Sequence, residues 1–195
     1  MSDGFLHQYF LNNPQKPIYK WIHYFDIYER HFAHFRGKAP VVLEIGVLEG
    51  GSLQMWKDYF GVDSQIIGID LNPACAEHAG NGIDVLIGSQ DEPAVIDQVF
   101  AKYPQIDIVI DDGSHQMHHV LKSFELIYNR MRPHGVYLIE DTHTSYWDEY
   151  GGGFQRDGAV MEFVKAQLDA LNAVHTRGAV PVSDITRSTQ CIVCY

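Results

Sequence analysis

The sequence predicts an α/β fold, in which a doubly wound, mostly parallel β-sheet lies between two layers of helices (α/β/α). Five short apolar runs rich in β-branched residues alternate with segments of helical periodicity along the 195 residues. A glycine-rich turn follows the first run, and acidic clusters follow the fourth and fifth. Because ligands bind at the carboxyl ends of parallel strands, the polar residues at these ends are the candidate functional site.

The individual elements follow from this alternation. The predicted strands are, in chain order, 41–45, 65–71, 83–87, 106–110 and 136–139, with a final strand at 192–193. The predicted helices are 18–35, 50–59, 92–102, 114–131 and 157–175. Residues 1–16 are predicted to form a loose arm or a short helix. The sequence is therefore divided into an N-terminal arm and helix (1–39) and a ligand-binding domain (40–195), which together form one compact unit.

The charge of the chain narrows the class of partner. Its formal net charge is −11 and its pI is about 5.3, which disfavours nucleic acid and anionic membranes as partners. No apolar stretch has the length of a membrane span, and the N-terminus lacks a signal-peptide pattern. We expect a cytoplasmic protein that acts on a small molecule. The sequence is also compatible with a homo-oligomer.

Three cysteines are too few for a disulfide framework. Cys191 and Cys194 form a C-x-x-C pair in a strand-like segment, without a second pair to complete a zinc site. We therefore expect Cys75, Cys191 and Cys194 to be buried thiols in a reducing cytosol, with a zinc site as the lesser alternative.

The turn after the first strand has the character of a cofactor site. Gly46 begins a glycine-containing turn between a strand and a helix, where a ligand can approach the backbone closely. Leu48 replaces the second glycine of the dinucleotide fingerprint, which counts against a nicotinamide cofactor. Asp70 ends the second strand, where an acidic residue suits ribose hydroxyls.

The acidic clusters predict a cation site. If the fourth and fifth strands are neighbours, Asp112, Glu140 and Asp141 converge, and their mutual repulsion favours a bound cation. Oxygen ligands suit Mg²⁺, Ca²⁺ or Mn²⁺. Helix capping is the alternative for Asp112 and the favoured one for Asp111.

Three histidines follow the first acidic cluster. His115, His118 and His119 would share one helical face, so they are an alternative site for a transition metal. The favoured interpretation is that His118 and His119 are solvated. His115, about one helical turn after Asp112, is the candidate general base.

These motifs resemble class I S-adenosylmethionine-dependent methyltransferases, which have a Rossmann-like fold. The resemblance is strongest to the metal-dependent macrolide sugar O-methyltransferases of the mycinamicin and macrocin type, and it covers roughly residues 20–165. The motifs that carry it are Glu44-Ile45-Gly46 through Ser52, Ser89-Gln90-Asp91, Asp112-Gly113-Ser114-His115, Glu140-Asp141 and Tyr146-Trp147.

The resemblance implies a role for each motif. The residues that it assigns to S-adenosylmethionine are Glu44, Gly46 and Ser52 for the amino-acid part, Asp70 for the ribose, and Ser89 and Gln90 beside the adenine. It implies Mg²⁺ (or Mn²⁺) on Asp112, Glu140 and Asp141, and His115 as the general base. Its implied acceptor-binding residues are His143, Tyr146 and Trp147. The family chain continues through a further antiparallel strand, so we also expect a truncated chain or one that needs a partner.

The resulting hypothesis is a metal-dependent O-methyltransferase acting on a hydroxyl of a sugar or diol-bearing small natural product. An NAD(P)-dependent, sugar-modifying oxidoreductase is the first alternative, although the sequence has neither the glycine fingerprint nor a Tyr-x-x-x-Lys pair. A non-catalytic assembly or binding protein with the same fold is the second.

Overall fold

The computed structural model describes residues 4–13 and 16–195. Its centre is a five-stranded, entirely parallel sheet with the strand order β3-β2-β1-β4-β5. The strands are β1 Val41–Ile45, β2 Gln65–Asp70, β3 Ile83–Ile87, β4 Ile108–Asp111 and β5 Val136–Ile139. The predicted fold class is confirmed, because runs of β-branched residues buried on both faces form parallel strands joined by helices.

Helices cover both faces of the sheet. The α-helices are α1 Phe5–Asn12, α2 Tyr24–Phe32, α3 Gly51–Phe60, α4 Pro93–Lys102, α5 Met117–Ile127, α6 Val160–Leu171 and α7 Asp184–Ser188. Single 3₁₀ turns lie at Ala33–Phe35, Pro73–His78, Tyr128–Arg130, Thr142–Tyr146, Asp148–Tyr150 and Ala173–His175. Among the residues described, none of these helices is long and apolar enough to cross a membrane.

The core has two halves, one on each face of the sheet. Successive strand residues point to opposite faces, so Val42 packs with α1, α2 and α3, whereas Leu43 packs with α4 and α5. Trp56 of α3 is fully buried against Tyr28 and Phe32 of α2, with ring centroids 5.0 and 5.8 Å apart. The N-terminal helices therefore share one core with the sheet.

The prediction of a helix from residue 18 is wrong. The helix α2 begins at Tyr24, and the segment before it is not helical. Trp21 and Ile22 are 58% and 53% exposed, so their helical spacing does not mark a buried face. Residues 16–20 instead run across the N-terminus of α3, where a Cβ on Gly51 would lie 2.2 Å from the Pro17 carbonyl oxygen.

The predicted final strand at 192–193 is also wrong, since the structure assigns no regular element to the described residues 189–195. Cys191 and Cys194 are exposed rather than buried, whereas Cys75 is buried as expected. The C-terminal residue Tyr195 instead contacts α2, where its hydroxyl lies 2.8 Å from His31 Nε2. A run of two β-branched residues, Ile192 and Val193, is too short to form a strand unless its side chains pack against a neighbouring layer.

Several helix bounds differ from the predictions. α5 begins at Met117 instead of 114 and α6 at Val160 instead of 157, because turns with positive φ at His115 and Gly158 precede them. Both helices end early and continue as 3₁₀ turns. Of the arm predicted at residues 1–16, residues 5–12 form α1, and residues 1–3 and 14–15 lie outside the described part of the chain.

Candidate active site

A cleft of about 320 Å³ opens at the carboxyl ends of β1, β2 and β4. The chain runs outward from β1 to β3 on one side and then returns to β4 and β5 on the other, so β1 and β4 flank the topological switch point. The residues that line the cleft are Pro17, Ile18, Tyr19, Lys20, Gly46, Val47, Leu48, Glu49, Gly51, Ser52, Asp70, Asp112, Gly113, His115 and Asp141.

Two glycines bring the loops of β1 and β4 together. Gly46 has a φ of 92°, and a Cβ at this position would lie 2.1 Å from the Asp112 carbonyl oxygen. A Cβ on Gly113 would lie 2.2 Å from Gln90 Oε1. Gly46 therefore permits the close approach of the two strand ends, and Gly113 leaves room for the side chains of Gln90 and Ile45.

Three residues that line the cleft have strained backbone conformations. Leu48, His115 and Asp141 all adopt left-handed backbone conformations, with φ values of 49°, 57° and 51°. Such conformations cost non-glycine residues free energy and cluster at functional sites, where the surrounding structure enforces them. Here they direct one side chain from each of three loops into one cleft.

Asp70 holds the glycine turn with its carboxylate. Its Oδ2 accepts hydrogen bonds from the backbone N–H groups of Val47 (2.8 Å) and Leu48 (3.1 Å), and its Oδ1 accepts one from Asn72 (2.8 Å). Partial burial opposes ionisation, but these backbone hydrogen bonds prevail and lower the pKa of Asp70. Asp70 also lines the cleft, as expected for a residue beside the ribose.

Glu44 lies behind the cleft rather than in its wall. Its side chain is fully buried, and its Oε2 accepts a hydrogen bond of 2.8 Å from Ser52 Oγ. Burial raises the pKa of Glu44, and the positive charge of Lys20 opposes this shift. Of the residues predicted for the amino-acid part of the cofactor, Gly46 and Ser52 therefore line the cleft, and Glu44 supports Ser52 from behind.

The predicted adenine-binding residues do not line the cleft. Ser89 donates a hydrogen bond to Asp91. The buried Gln90 donates to Asp111 Oδ1 (3.0 Å) and accepts from the Ser114 backbone N–H (2.9 Å). Gln90 therefore ties the end of β3 to the loop after β4.

Asp111 is not a helix cap, contrary to the favoured interpretation of the sequence. It is the last residue of β4 and is buried, with Gln90 and the Tyr137 hydroxyl (3.3 Å) as hydrogen-bond donors. Burial raises the pKa of Asp111 to about 7. The cap of α5 is Gln116.

Asp112, His115 and Asp141 meet in the cleft. His115 Nε2 lies 3.7 Å from Asp112 Oδ1 and 3.8 Å from Asp141 Oδ2. One potential ligand atom from each of the three lies within 4.8 Å of the others. The Tyr24 hydroxyl donates to Asp141 Oδ1 at 2.8 Å and so helps to fix this carboxylate. The donor set, mostly carboxylate oxygens, suits a hard divalent cation.

Glu140, the third predicted metal ligand, is held by two donors. The ammonium of Lys20 lies 2.9 Å from Glu140 Oε1, 2.6 Å from Asp112 Oδ2 and 3.1 Å from Glu44 Oε1. The buried Tyr28 hydroxyl donates to the same Glu140 oxygen at 2.6 Å. Burial raises the pKa of Glu140, and Lys20 opposes this shift.

Lys20 belongs to this site, although nothing in the sequence predicted it, and its side chain is only 2% exposed. Burial disfavours its charged form, but the surrounding anions, led by Glu140, prevail and raise the pKa of Lys20 well above its ordinary value. A lysine inside an apparent amphipathic helix gave no signal, because its partners lie 24, 92 and 120 residues away in the sequence.

The three histidines do not share a helical face. His115 precedes α5 in a left-handed turn, and His118 is exposed on the first turn of the helix. His119 Nδ1 lies 2.7 Å from Ser114 Oγ. The three histidines therefore do not form the transition-metal site that the sequence left open, and of the three only His115 lines the cleft.

The predicted acceptor residues lie on the loop after β5. Tyr146 and Trp147 are 49% and 45% exposed, so they are surface residues rather than core residues. The rings of His143 and Trp147 are 4.8 Å apart, and Trp21 packs edge-on against His143 at 6.3 Å. Trp21, which the sequence placed in a helix, therefore joins an aromatic group beside Asp141.

The strand order β3-β2-β1-β4-β5 and the cleft at the β1/β4 switch point define a Rossmann-like type of ligand-binding fold and site. Comparison with sequence families agrees with this geometry. The chain belongs to the methyltransferase domain family, which its residues 43–142 match. This membership favours the methyltransferase hypothesis over the NAD(P)-dependent oxidoreductase.

Curated relatives narrow the family. The chain is 38% identical over 163 residues to the 8-demethyl-8-alpha-L-rhamnosyl tetracenomycin-C 2'-O-methyltransferase of Streptomyces olivaceus, covering 78% of this chain and 43% of that protein. It is 37% identical over 169 residues to the mycinamicin VI 2''-O-methyltransferase of Micromonospora griseorubida, covering 80% and 41%. The chain thus spans less than half the length of these relatives, and its resemblance to the macrolide sugar O-methyltransferases is confirmed.

A solved structure shows the same fold. The MycE methyltransferase of the mycinamycin biosynthetic pathway, in complex with Mg, SAH and mycinamycin VI, superposes with a TM-score of 0.83 at 32% identity. The match covers 97% of this chain and 50% of MycE.

Proposed function

We propose that this chain is the catalytic domain of an S-adenosylmethionine-dependent, divalent-metal-dependent O-methyltransferase. Its substrate would be a hydroxyl of a sugar or other diol on a small natural product. The observation that carries the proposal is the cluster of Asp112, His115 and Asp141 within one cleft beside the glycine turn of β1. The acceptor class is supported by the names of two relatives, which are O-methyltransferases of a rhamnosyl tetracenomycin and of mycinamicin VI.

The carboxylates at the ends of β4 and β5 fit the metal that the proposal requires; Asp112 and Asp141 line the cleft, and Glu140 lies behind them. Asp112, Glu140 and Asp141 would hold the ion, and all three come from the adjacent ends of β4 and β5. Bound there, Mg²⁺ would supply Lewis acidity for the acceptor hydroxyl, and S-adenosylmethionine would supply the methyl group. The chain itself must then bind the acceptor, orient it and accept one proton.

His115 is proposed as the group that accepts the proton at Nε2. This atom lies 3.7 Å from Asp112 Oδ1 and 3.8 Å from Asp141 Oδ2, beside two of the carboxylates that would hold the metal and the acceptor hydroxyl with it. The left-handed backbone of His115 turns its ring toward the cleft instead of along α5. The imidazole is therefore held by backbone geometry close to the place where the acceptor hydroxyl must lie.

The glycine turn and the aromatic loop would position the two substrates. Gly46, Ser52 and Asp70 form the wall on the β1 side, where the amino-acid part and the ribose of the cofactor would lie. His143 and Trp147 lie on the loop after β5 and are not among the residues that line the cleft; there they would offer ring faces and edges to a sugar or its aglycone.

Methyl-transfer assays test the two roles separately: a chelator tests the metal, and a His115 variant tests the base. The 195-residue chain would be assayed with labelled S-adenosylmethionine against rhamnosylated polyketides and glycosylated macrolides. We expect transfer with Mg²⁺ and none in EDTA. We expect His115→Ala to lower kcat by about 10² to 10⁴ while SAH affinity is kept, because only proton transfer is lost.

The matched control is His118→Ala, which removes an exposed histidine from the same segment and should leave the rate unchanged. Full activity in EDTA would refute the metal role. An unchanged rate in His115→Ala would refute the base. Binding of SAH without turnover of any acceptor would instead favour the non-catalytic alternative.

A further inference from the structure

Lys20 occupies the middle of the acidic cluster. Its ammonium has three N–H donors, and it makes three ion pairs of 2.6 to 3.1 Å with Asp112, Glu140 and Glu44. Its side chain is 2% exposed, and those of Glu44 and Glu140 are 0% and 2% exposed. The charge is therefore enclosed by protein, where ion-pair interactions are much stronger than at the surface.

The charges around this lysine do not balance. Glu44, Asp112 and Glu140 contact Lys20, and Asp141 lies across His115 from Asp112. Three carboxylates thus contact one ammonium, and a fourth lies beyond His115, so the site has room electrostatically for a further cation. Two of the three partners of Lys20, Asp112 and Glu140, are also the residues proposed to hold Mg²⁺.

We propose that Lys20 is a tethered cation that shares Asp112 and Glu140 with the divalent ion, stabilises the metal-free site and weakens metal binding. The inference rests on the proposed function. Without Lys20, three carboxylates would be left close together in a buried site with no compensating charge. With Lys20 present, two of the proposed Mg²⁺ ligands are already paired with a positive charge. The repulsion between this charge and Mg²⁺ lowers the affinity of the site for the metal.

Lys20 is a positioning residue, because its ammonium contacts the carboxylates rather than the reacting groups. Asp112 Oδ2 is held by Lys20 while Asp112 Oδ1 faces His115, so the lysine sets the direction of the carboxylate that serves both metal and base. The segment before α2 carries Lys20 into the cleft, and this is the segment that the helical periodicity mispredicted.

The test compares two buried lysines. Lys20→Met removes the cation from the carboxylates. Lys57→Met is the matched control, because Lys57 is also buried but donates, within the described part of the chain, to the backbone carbonyls of Val62 and Ser64 rather than to a carboxylate. Metal-stripped protein would be titrated with Mg²⁺ by calorimetry, and the melting temperature would be measured with and without saturating Mg²⁺.

We expect metal-free Lys20→Met to melt below the wild type and to bind Mg²⁺ at least about tenfold more tightly. Saturating Mg²⁺ should recover most of its loss in melting temperature. Lys57→Met should also melt lower, but Mg²⁺ should not recover the loss and its Mg²⁺ affinity should equal that of the wild type.

Equal or weaker Mg²⁺ binding by Lys20→Met would overturn the inference, as would a loss that Mg²⁺ does not recover. If Lys20→Met does not fold without metal, Lys20→Gln, which keeps a donor without the charge, decides by the same two measurements. Should the wild type bind no divalent ion, the proposed function fails and the inference with it. If the wild type binds Mg²⁺ and the variant binds no tighter, only the inference fails.

Discussion

Gly46 offers a sharp test of how the site is built. Gly46→Ala places a Cβ 2.1 Å from the Asp112 carbonyl oxygen, whereas contacts below 3.0 Å are essentially never seen. The backbone of Asp112 would then have to retreat by about 1 Å. The substitution also forces alanine into a φ of 92°, which by itself costs about 1 to 3 kcal/mol.

The matched control is Gly61→Ala at the end of α3. Gly61 has a φ of 103°, and a Cβ there would meet nothing within 4 Å. Both variants therefore carry the cost of a positive φ, and only Gly46→Ala carries the overlap. We expect Gly61→Ala to lose about 1 to 3 kcal/mol, and Gly46→Ala to lose about 2 kcal/mol more.

Urea denaturation followed by circular dichroism would give the two free energies of unfolding. Because a displacement of about 1 Å at a catalytic group can cost about 100-fold in rate, methyl transfer by Gly46→Ala should fall by that order. SAH and Mg²⁺ binding should weaken in Gly46→Ala and stay unchanged in Gly61→Ala. Equal losses of stability in both variants, with unaltered Mg²⁺ binding in Gly46→Ala, would refute the close contact between the ends of β1 and β4.

Three further predictions concern polar groups that are buried or partly buried. Asp70→Asn should unfold with a lower free energy than the wild type at pH 7, because backbone hydrogen bonds lower the pKa of Asp70 and so favour its ionised form in the folded state. This difference in the free energy of unfolding should shrink as the pH falls through the lowered pKa, which urea titrations at several pH values would show. Burial penalises the ionised form of Asp111, so Asp111→Asn should gain stability relative to the wild type as the pH rises from the ordinary carboxyl pKa of about 4 to about 7. A difference in stability that does not vary with pH would contradict this. Tyr28→Phe should lose about 1 to 3 kcal/mol, because its hydroxyl is a donor to the buried Glu140, whereas the exposed Tyr19→Phe should lose almost nothing in the same denaturation assay.

Much of the site could be predicted because strand ends are local features of a sequence. Asp112, Asp141 and His115 follow apolar runs, and parallel topology carries such residues to one edge of the sheet. The strand order then places β4 beside β5, which brings the two acidic clusters together as expected. This reasoning needed only the positions of the strands and the rule for where sites lie.

The same reasoning failed where a residue is placed by its distant partners. The apolar spacing of Ile18, Trp21 and Ile22 is typical of a helix, yet the segment is not helical and Trp21 is exposed. Lys20, in the same segment, is placed by carboxylates that lie 24, 92 and 120 residues away in the sequence. Periodicity could not predict either outcome, since it contains no information on which groups will surround a side chain.

The sequence by itself determined the layers of this protein, its parallel sheet and the edge at which its acidic residues gather, because periodicity and β-branched runs act through neighbours in the chain. Only the tertiary structure decided which carboxylates face the cleft and which lie behind it. Glu44 and Glu140 are buried next to Lys20, while Asp112 and Asp141 reach His115. The reason is physical: the free energy of a buried charge depends on the groups that the fold brings around it, and here those groups are far apart in the sequence.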